Sequence, residues 1–98
     1  MIAQVFETTG EAGEPTDEFR KFAEDALAEG RKQDGVEATI QLLDPANGKN
    51  LVINIFRDRA ALDAFQEYSN AKIAEVEAMN PGFKIPDGDV YPEVIALL

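Results

Sequence analysis

The sequence predicts an α+β fold, and three observations support that class. Strand-like apolar patterns occur near residues 2–8, 36–43, 51–56 and 89–98, and two stretches with helical spacing of apolar residues lie between them. A turn signal joins the two middle strands directly. The resulting β-α-β-β-α-β order is that of the ferredoxin-like fold with a four-stranded antiparallel sheet. Because 98 residues, 45% of them hydrophobic, suffice for one modest core, a single domain over residues 1–98 is expected.

The first strand and the first helix are predicted over residues 2–33. In Ile2–Thr8, alternate side chains fall on opposite sides of a strand. Thr16 is a candidate N-cap, and acidic residues follow it in the first turn of a helix over about Asp17–Gln33. The apolar residues of this helix are spaced i, i+3, i+4, i+7, i+8 and form one stripe: Phe19, Phe22, Ala23, Ala26 and Leu27.

The two middle strands are predicted to form a hairpin. Val36–Leu43 alternates along its length, and the Asn47-Gly48 pair that follows is a turn signal. Leu51–Phe56 is apolar except at Asn54, a composition typical of a strand that is covered on both faces.

The second helix is predicted to begin after Asp58, a candidate N-cap, and to continue to Asn80. At about 1.5 Å per residue it would be about 33 Å long, which exceeds the expected strand length, so a bend or break near Ser69 and Asn70 is expected. A loop over Pro81–Gly88 and a final strand over Asp89–Leu98 complete the order.

The composition excludes several classes of function. Nineteen acidic and nine basic residues give a net charge of −10, which repels nucleic-acid phosphates and anionic membranes, so neither is an expected partner. The chain has no cysteine and no histidine, so disulfides, thiolate catalysis and sulfur-bound zinc are excluded, and no metal or cofactor is expected. No leader pattern and no apolar run near the roughly 20 residues of a membrane span occur, so a cytoplasmic protein is expected.

Apolar side chains on both faces of the last two strands predict a homodimer. Two helices cover only one face of a four-stranded sheet, yet Leu51–Phe56 and Val94–Leu98 supply apolar side chains to both faces. The uncovered face would be an apolar patch too large for a stable monomer. We therefore expect two copies to meet through their uncovered sheet faces.

In Gly35–Leu42, Leu51–Phe56 and the junction Phe56–Phe65, the chain resembles the antibiotic biosynthesis monooxygenase family of dimeric α/β-barrels. Members often carry an aromatic residue at the strand end, a Ser or Asp cap two residues later, and then Ala-Leu. Phe65 stands where a His is common. The residues that fit the pattern are Phe56, Asp58, Ala61 and Leu62. The resemblance implies a dimeric α/β-barrel built from the ferredoxin-like protomer.

The family includes cofactor-independent oxygenases of aromatic polyketides, haem-degrading enzymes and isomerases, so the fold alone is a weak guide to activity. The positions nearest to the Asn, Trp and His of haem-degrading members are Phe6, Phe56 and Phe65 here. None of these side chains binds iron or donates a hydrogen bond, which argues against haem chemistry. Asn54 stands where members often carry Glu, so a general base at that position is lost.

Five residues are candidates for the lining of a substrate pocket between helix and sheet: Asn54, Phe56, Phe65, Tyr68 and Glu93. An enclosed Asn54 amide needs partners in protein, water or ligand. The three aromatic rings would suit a flat aromatic ligand, or they would simply be core. Glu93 would be a base if desolvated, or a solvated residue at a strand edge. No catalytic residue is assigned.

We expect a protein that binds a small hydrophobic, aromatic or polyketide-like molecule in this pocket. The resemblance implies a cofactor-independent monooxygenase or a polyketide cyclase-like enzyme. Such an oxygenase needs only a base, a few polar groups and a dry cavity, because the substrate supplies the electrons. A non-catalytic ligand-binding or assembly module is the alternative, because residues often tied to catalysis in the family are Phe or Asn here.

Overall fold

The computed structural model describes residues 1–10, 12–79 and 85–97. Its strands β1 (Ile2–Thr9), β2 (Val36–Asp44), β3 (Lys49–Phe56) and β4 (Asp89–Tyr91) form an antiparallel sheet in the order β2-β3-β1-β4. The helices are α1 (Asp17–Arg31) and α2 (Arg59–Met79). The α+β class, the element order and the four-stranded antiparallel sheet are confirmed, and they are those of a ferredoxin-like fold.

Three local predictions about how the elements begin and turn are confirmed. The Phe19 amide donates a hydrogen bond of 3.1 Å to Thr16 Oγ1, which caps α1. The Ala61 amide donates one of 2.9 Å to Asp58 Oδ1 at the start of α2. Between β2 and β3, a short 3-10 turn over Pro45–Asn47 ends at Gly48, whose φ of +64° lies in the left-handed region.

The predicted break in the second helix is wrong. Helix α2 is continuous over Arg59–Met79, 21 residues that include no glycine and no proline. Across the expected break, Gln66 Nε2 donates a 2.8 Å hydrogen bond to Asn70 Oδ1 on the next turn. Good helix formers such as alanine favour this uninterrupted helix. Helix α1 ends slightly earlier than predicted, at Arg31 rather than Gln33.

The predicted extent of the last strand, Asp89–Leu98, is also wrong. Strand β4 pairs with β1 over Asp89–Tyr91 only, and residues 92–97 continue without regular structure. Pro92 has no N–H to donate to a sheet, so the ladder stops before it. Of the predicted loop Pro81–Gly88, residues 81–84 lie outside the described residues, and residues 85–88 form no helix or strand.

Both helices lie on the same face of the sheet. Helix α2 reaches that face through a 2.6 Å hydrogen bond from Gln4 Nε2 to Gln66 Oε1, and α1 reaches it through a 3.1 Å bond from Thr39 Oγ1 to the Leu27 carbonyl. The buried core lies between them and the sheet: Ile2, Val36, Phe56, Ala61, Leu62 and Phe65, with Tyr68 packed against it. Within the described ranges, no helix covers the opposite face, and none has the length and apolarity that a membrane span requires.

Candidate functional site

A row of polar side chains crosses the helix-covered face of the sheet at the edge of the core. Gln4 on β1 opposes Asn54 on β3, and Asn54 opposes Thr39 on β2. Directly opposed residues of antiparallel strands share a face, so these three side chains lie side by side. We call Gln4, Asn54 and Thr39 the polar row. On one side of it the strands supply the core residues Ile2 and Phe56, so the polar row marks where the buried core ends.

On the other side of the polar row, the side chains over the sheet are less enclosed. Phe6 and Gln41 both oppose Val52, and all three are half-buried. On α1, which packs over β2, Phe22 is 57% exposed. We call Phe6, Val52, Gln41 and Phe22 together the open end of the helix-sheet layer.

Helical periodicity places Phe22 on the side of α1 that faces α2. Phe22 precedes Glu29 by seven residues, which is close to two helical turns. Glu29 in turn forms an ion pair of 3.7 Å with Lys72 on α2. The two helices approach closely farther along, because a β carbon on Gly30 of α1 would lie 3.6 Å from the Phe65 ring. The helices are therefore in contact at the core, and Phe22 lies two turns before that contact.

The buried amides of the polar row have unused hydrogen-bonding capacity. Gln4 is 3% exposed, and its Nε2 donates to Gln66, but its fully buried Oε1 has no hydrogen-bond donor among the described residues. Asn54 is 6% exposed, and its side chain makes no hydrogen bond to another described residue. An unpaired buried polar group costs about 1–3 kcal/mol. A molecule that supplies a donor at Gln4 Oε1 would recover that energy, and one that also bonds the Asn54 amide would gain a further hydrogen bond.

The aromatic candidates lie together in the core. The Phe56 and Phe65 ring centroids are 5.1 Å apart, and those of Phe65 and Tyr68 are 5.4 Å apart, both pairs tilted. Phe56 is fully buried. Lys72 Nζ lies 5.9 Å from the Tyr68 ring centroid, within cation–π range. The structure thus brings Asn54, Phe56, Phe65 and Tyr68 to the helix-covered face, with the rings packed on one another.

Glu93 is not part of this group. It is exposed and lies beyond β4, in residues 92–97. A separate surface depression of about 270 Å³ opens where β3 passes into α2, with one of the aromatic candidates, Phe65, in its lining. The other lining residues are Gln33, Asp34, Arg57, Ala60, Ala61 and Ala64. The polar row does not contribute to this depression.

Sequence reasoning missed Gln4 and its partner Gln66. The signal for Gln4 was available, because it alternates with Ile2 and Phe6 on one side of an otherwise apolar strand face. A polar residue in that position is the same kind of signal that singled out Asn54. Gln66 gave no comparable signal, since an isolated glutamine on a helix usually faces solvent.

The polar row is neutral. Among the described residues, the buried polar or charged side chains are Gln4 and Asn54, both amides. The ionisable group with a clear role is Asp58, whose pKa is lowered chiefly because its carboxylate accepts the Ala61 amide hydrogen bond, with help from Arg57. In the described part of the chain, no cluster of three or more acidic side chains could hold a metal ion. The arrangement can therefore bind and orient a neutral molecule by hydrogen bonds.

Comparison with known proteins concerns the fold. The solved structure of Rv0793 from Mycobacterium tuberculosis is similar to this chain with a TM-score of 0.65, over 97% of this chain and 96% of that one, at 17% sequence identity. No protein-family model matches the chain, and no curated protein matches it significantly. At this level of identity, the likeness shows that the two chains share a small α/β fold.

Proposed function

We propose that this protein binds a small, planar, hydrophobic molecule at the open end, and that it does so as a homodimer joined through the uncovered sheet faces. The observation that carries the proposal is the buried Gln4 Oε1, which has no donor in the described part of the chain and lies in the row that borders the open end. A ligand hydroxyl that donates to this oxygen would remove the cost of leaving it unpaired.

The surroundings of the polar row favour a ligand that is apolar over most of its surface. Within the open end, Phe6 and Val52 are half-buried, and the Phe22 ring is exposed. Binding a flat ring system there would bury these side chains together with the ligand. The net charge of −10 disfavours anionic ligands, so we propose a neutral phenol-like or polyketide-like molecule.

The homodimer is supported by the side chains of the uncovered sheet face. Ile40, Leu42 and Tyr91 are exposed on that face, and Leu51 and Ile53 are half-buried. A second copy that packed its own uncovered face on this one would bury all of them, with the two sheets about 10 Å apart.

The family resemblance adds a reaction to this proposal, which is oxygenation without a cofactor. An activated methylene group of the ligand loses its two hydrogens and becomes a carbonyl. One atom of O₂ becomes the carbonyl oxygen, and the other leaves as water with those hydrogens, so the ligand supplies all four electrons. Solvent water would take the proton that ionises the ligand, this proton would return in the departing water, and the Asn54 amide would stabilise the resulting oxyanion through its N–H donors. Cyclisation of a polyketide-like ligand is the related alternative.

A non-catalytic ligand-binding module is the second candidate function. It is favoured by one observation, namely that the described buried polar residues are amides, which do not remove a proton from a ligand at neutral pH. In that case the polar row would select the ligand and hold it without changing it.

Binding is tested by titrating the full chain with 2-naphthol and with naphthalene, followed by nitrogen-15 NMR. In Gln4→Leu, 2-naphthol should bind roughly 3–10-fold more weakly, whereas naphthalene should bind equally well, because only one hydrogen bond is removed. Gln33→Leu, the same change two residues beyond the end of α1, is the matched control and should leave both affinities unchanged. Equal loss of both ligands, or no loss of either, would contradict a hydrogen-bonding role for Gln4.

Catalysis is tested separately by O₂ uptake with polycyclic phenols that carry an activated methylene group. Uptake by the wild type that disappears in Asn54→Ala, while binding persists, would favour the oxygenase. Binding without uptake across the panel would favour the non-catalytic module.

A further inference from the structure

Three side-chain amides form a hydrogen-bonded chain that runs from the polar row to the surface of the protein. Gln4 Nε2 donates a hydrogen bond of 2.6 Å to Gln66 Oε1, and Gln66 Nε2 donates one of 2.8 Å to Asn70 Oδ1. Gln4 is buried, Gln66 is half-buried and Asn70 is exposed. We call these three residues the amide chain. Its inner end is Gln4 Oε1, which has no donor among the described residues, and its outer end is the exposed Asn70 amide.

The amide chain keeps both of its hydrogen bonds when its direction is reversed. In the structure each amide donates outward, from Gln4 to Gln66 and from Gln66 to Asn70. The oxygen and the NH2 group of an amide have nearly the same size and shape but opposite hydrogen-bonding roles. After a 180° turn of all three amides, Asn70 would donate to Gln66, and Gln66 would donate to Gln4. The inner end would then present an N–H donor in place of the Gln4 oxygen.

The packing around Gln4 permits this turn. A β carbon on Gly88 would lie 2.8 Å from Gln4 Cγ and 3.1 Å from Gln4 Cδ, so the Gly88 backbone packs directly against the carbon atoms of this side chain. Rotation of the terminal amide about the Cγ–Cδ bond moves neither of these carbons. Torsions of this kind have broad, roughly two-fold preferences, so the turned amide is also a relaxed conformation. Gly88 therefore holds the side chain in place, while its amide can adopt either direction.

The two directions differ at the ends of the amide chain. At the outer end, water can donate to the Asn70 oxygen or accept from the Asn70 NH2 group, so neither direction is favoured there. At the inner end, a buried polar atom of Gln4 lacks a protein partner in the observed direction and would lack one in the reversed direction, and this carries a cost. A ligand that supplies the missing partner removes the cost, and it thereby shifts the population toward the direction that matches it.

We propose that the amide chain is a reversible hydrogen-bonding group, which lets one site bind either a ligand hydroxyl or a ligand carbonyl. The proposal rests on the ligand site proposed above and names its ligand class, which is molecules with a hydroxyl and a carbonyl form, such as the enol and the ketone of one compound. In the observed direction Gln4 Oε1 accepts from the hydroxyl, and in the reversed direction Gln4 Nε2 donates to the carbonyl. Gln66 and Asn70 are positioning residues, because they act on the ligand through Gln4.

The test compares three neutral ligands that share one bicyclic frame. Indane has no polar group, 5-indanol has a hydroxyl, and 1-indanone has a carbonyl that can only accept. Their dissociation constants are measured on the full chain by nitrogen-15 NMR. The wild type should bind 5-indanol and 1-indanone each roughly 3–10-fold more tightly than indane, since each gains one hydrogen bond. A wild type that prefers 5-indanol to indane, but binds 1-indanone no more tightly than indane, would overturn the reversal.

Asn70→Asp should lock the amide chain in the observed direction. A carboxylate accepts from Gln66 but has no hydrogen to donate, so the reversed direction loses one of its hydrogen bonds. The affinity for 1-indanone should therefore fall roughly 3–10-fold, to that for indane, whereas 5-indanol should bind as tightly as it does to the wild type. Ala71→Asp is the matched control, because it adds the same charge at the next position of α2, which is also exposed. An affinity for 1-indanone that does not fall, or that falls equally in the control, would contradict the proposal.

Two further results separate the possible failures. Gln66→Leu interrupts the amide chain, so in that background Asn70→Asp should no longer change the affinity for 1-indanone. An undiminished change there would mean that the charge acts directly on the ligand, and it would overturn the role of the chain. A wild type that binds none of the three ligands, or that binds 5-indanol equally well after Gln4→Leu, would overturn the proposed ligand site and the amide chain with it.

Discussion

Replacing Gly35 with alanine should destabilise the protein strongly, because two independent effects oppose the new side chain. Gly35 lies between α1 and β2 with φ of +80°, a conformation that costs an ordinary residue about 1–2 kcal/mol. A β carbon there would also overlap the Ala61 β carbon in α2. The backbone cannot easily move away, since the Gly35 carbonyl accepts a 2.8 Å hydrogen bond from the Arg57 amide. Overpacking of this kind costs about 1–3 kcal/mol.

The two costs together amount to about 2–5 kcal/mol, against a total stability of roughly 5–15 kcal/mol for a chain of this size. A loss near 3 kcal/mol corresponds to a fall in Tm of roughly 12–24 °C. The assay is thermal unfolding followed by circular dichroism at one fixed protein concentration, since dimerisation would make Tm depend on concentration. Gly10→Ala is the control, because nothing lies within 4 Å of its added β carbon.

A double-mutant cycle separates the overlap from the backbone strain. In the Gly35→Ala background, Ala61→Gly should be less destabilising than in the wild type, with a coupling of about 1 kcal/mol or more. A Gly35→Ala variant whose Tm lies within about 2 °C of the wild type would refute both the expected overlap with Ala61 and the expected backbone strain.

Two further predictions concern the second helix. Asp58→Ala should lower Tm at pH 7, because α2 loses its N-cap. The folded-state pKa of Asp58 is lowered from its ordinary value of 3.8, so its stabilisation is complete above that value and is lost as the pH falls through the folded pKa. The difference in Tm between wild type and variant should therefore narrow between about pH 5 and pH 3, and a constant difference would contradict the carboxylate role. Phe65→Ala should cost about 3–5 kcal/mol in urea unfolding, since the ring is buried between Phe56 and Tyr68. Phe22→Ala, at a 57% exposed position, should cost less than about 1 kcal/mol, and equal costs would contradict the assignment of Phe65 to the core.

The sequence was sufficient where structure is set by neighbouring residues. Thr16 and Asp58 cap their helices through hydrogen bonds to residues three positions later, so their roles follow from a short segment. The Asn47-Gly48 turn likewise depends on a conformation that glycine adopts at little cost. These features were sufficient to predict the order of the elements, and the order predicts the fold class.

The sequence was insufficient where structure depends on what lies across the sheet. The apolar pattern of Val94–Leu98 is that of a strand, but pairing needs a neighbour, and Pro92 ends the ladder with β1. The break expected near Ser69 assumed that a helix longer than its strands is interrupted, but α2 is continuous over Arg59–Met79.

In the candidate site, too, one residue could be identified from its neighbours in the sequence, whereas others could not. Asn54 was identified because it interrupts an apolar run, and it lies buried on the helix-covered face. Its neighbour Gln4 opposes it only through the register of β1 with β3, and the Gln4–Gln66 contact joins residues 62 positions apart. Glu93 was a candidate because a strand was expected around it, and without that strand it is an exposed side chain.

The most direct test of the proposed function is a crystal structure of the protein with 2-naphthol. We predict that the rings lie over Phe6 and Val52 at the open end, with the ligand hydroxyl donating a hydrogen bond of about 2.7 Å to Gln4 Oε1. Naphthol found only in the depression beside Phe65, or an open end closed by repacked side chains with Gln4 Oε1 bonded to protein, would contradict the proposal.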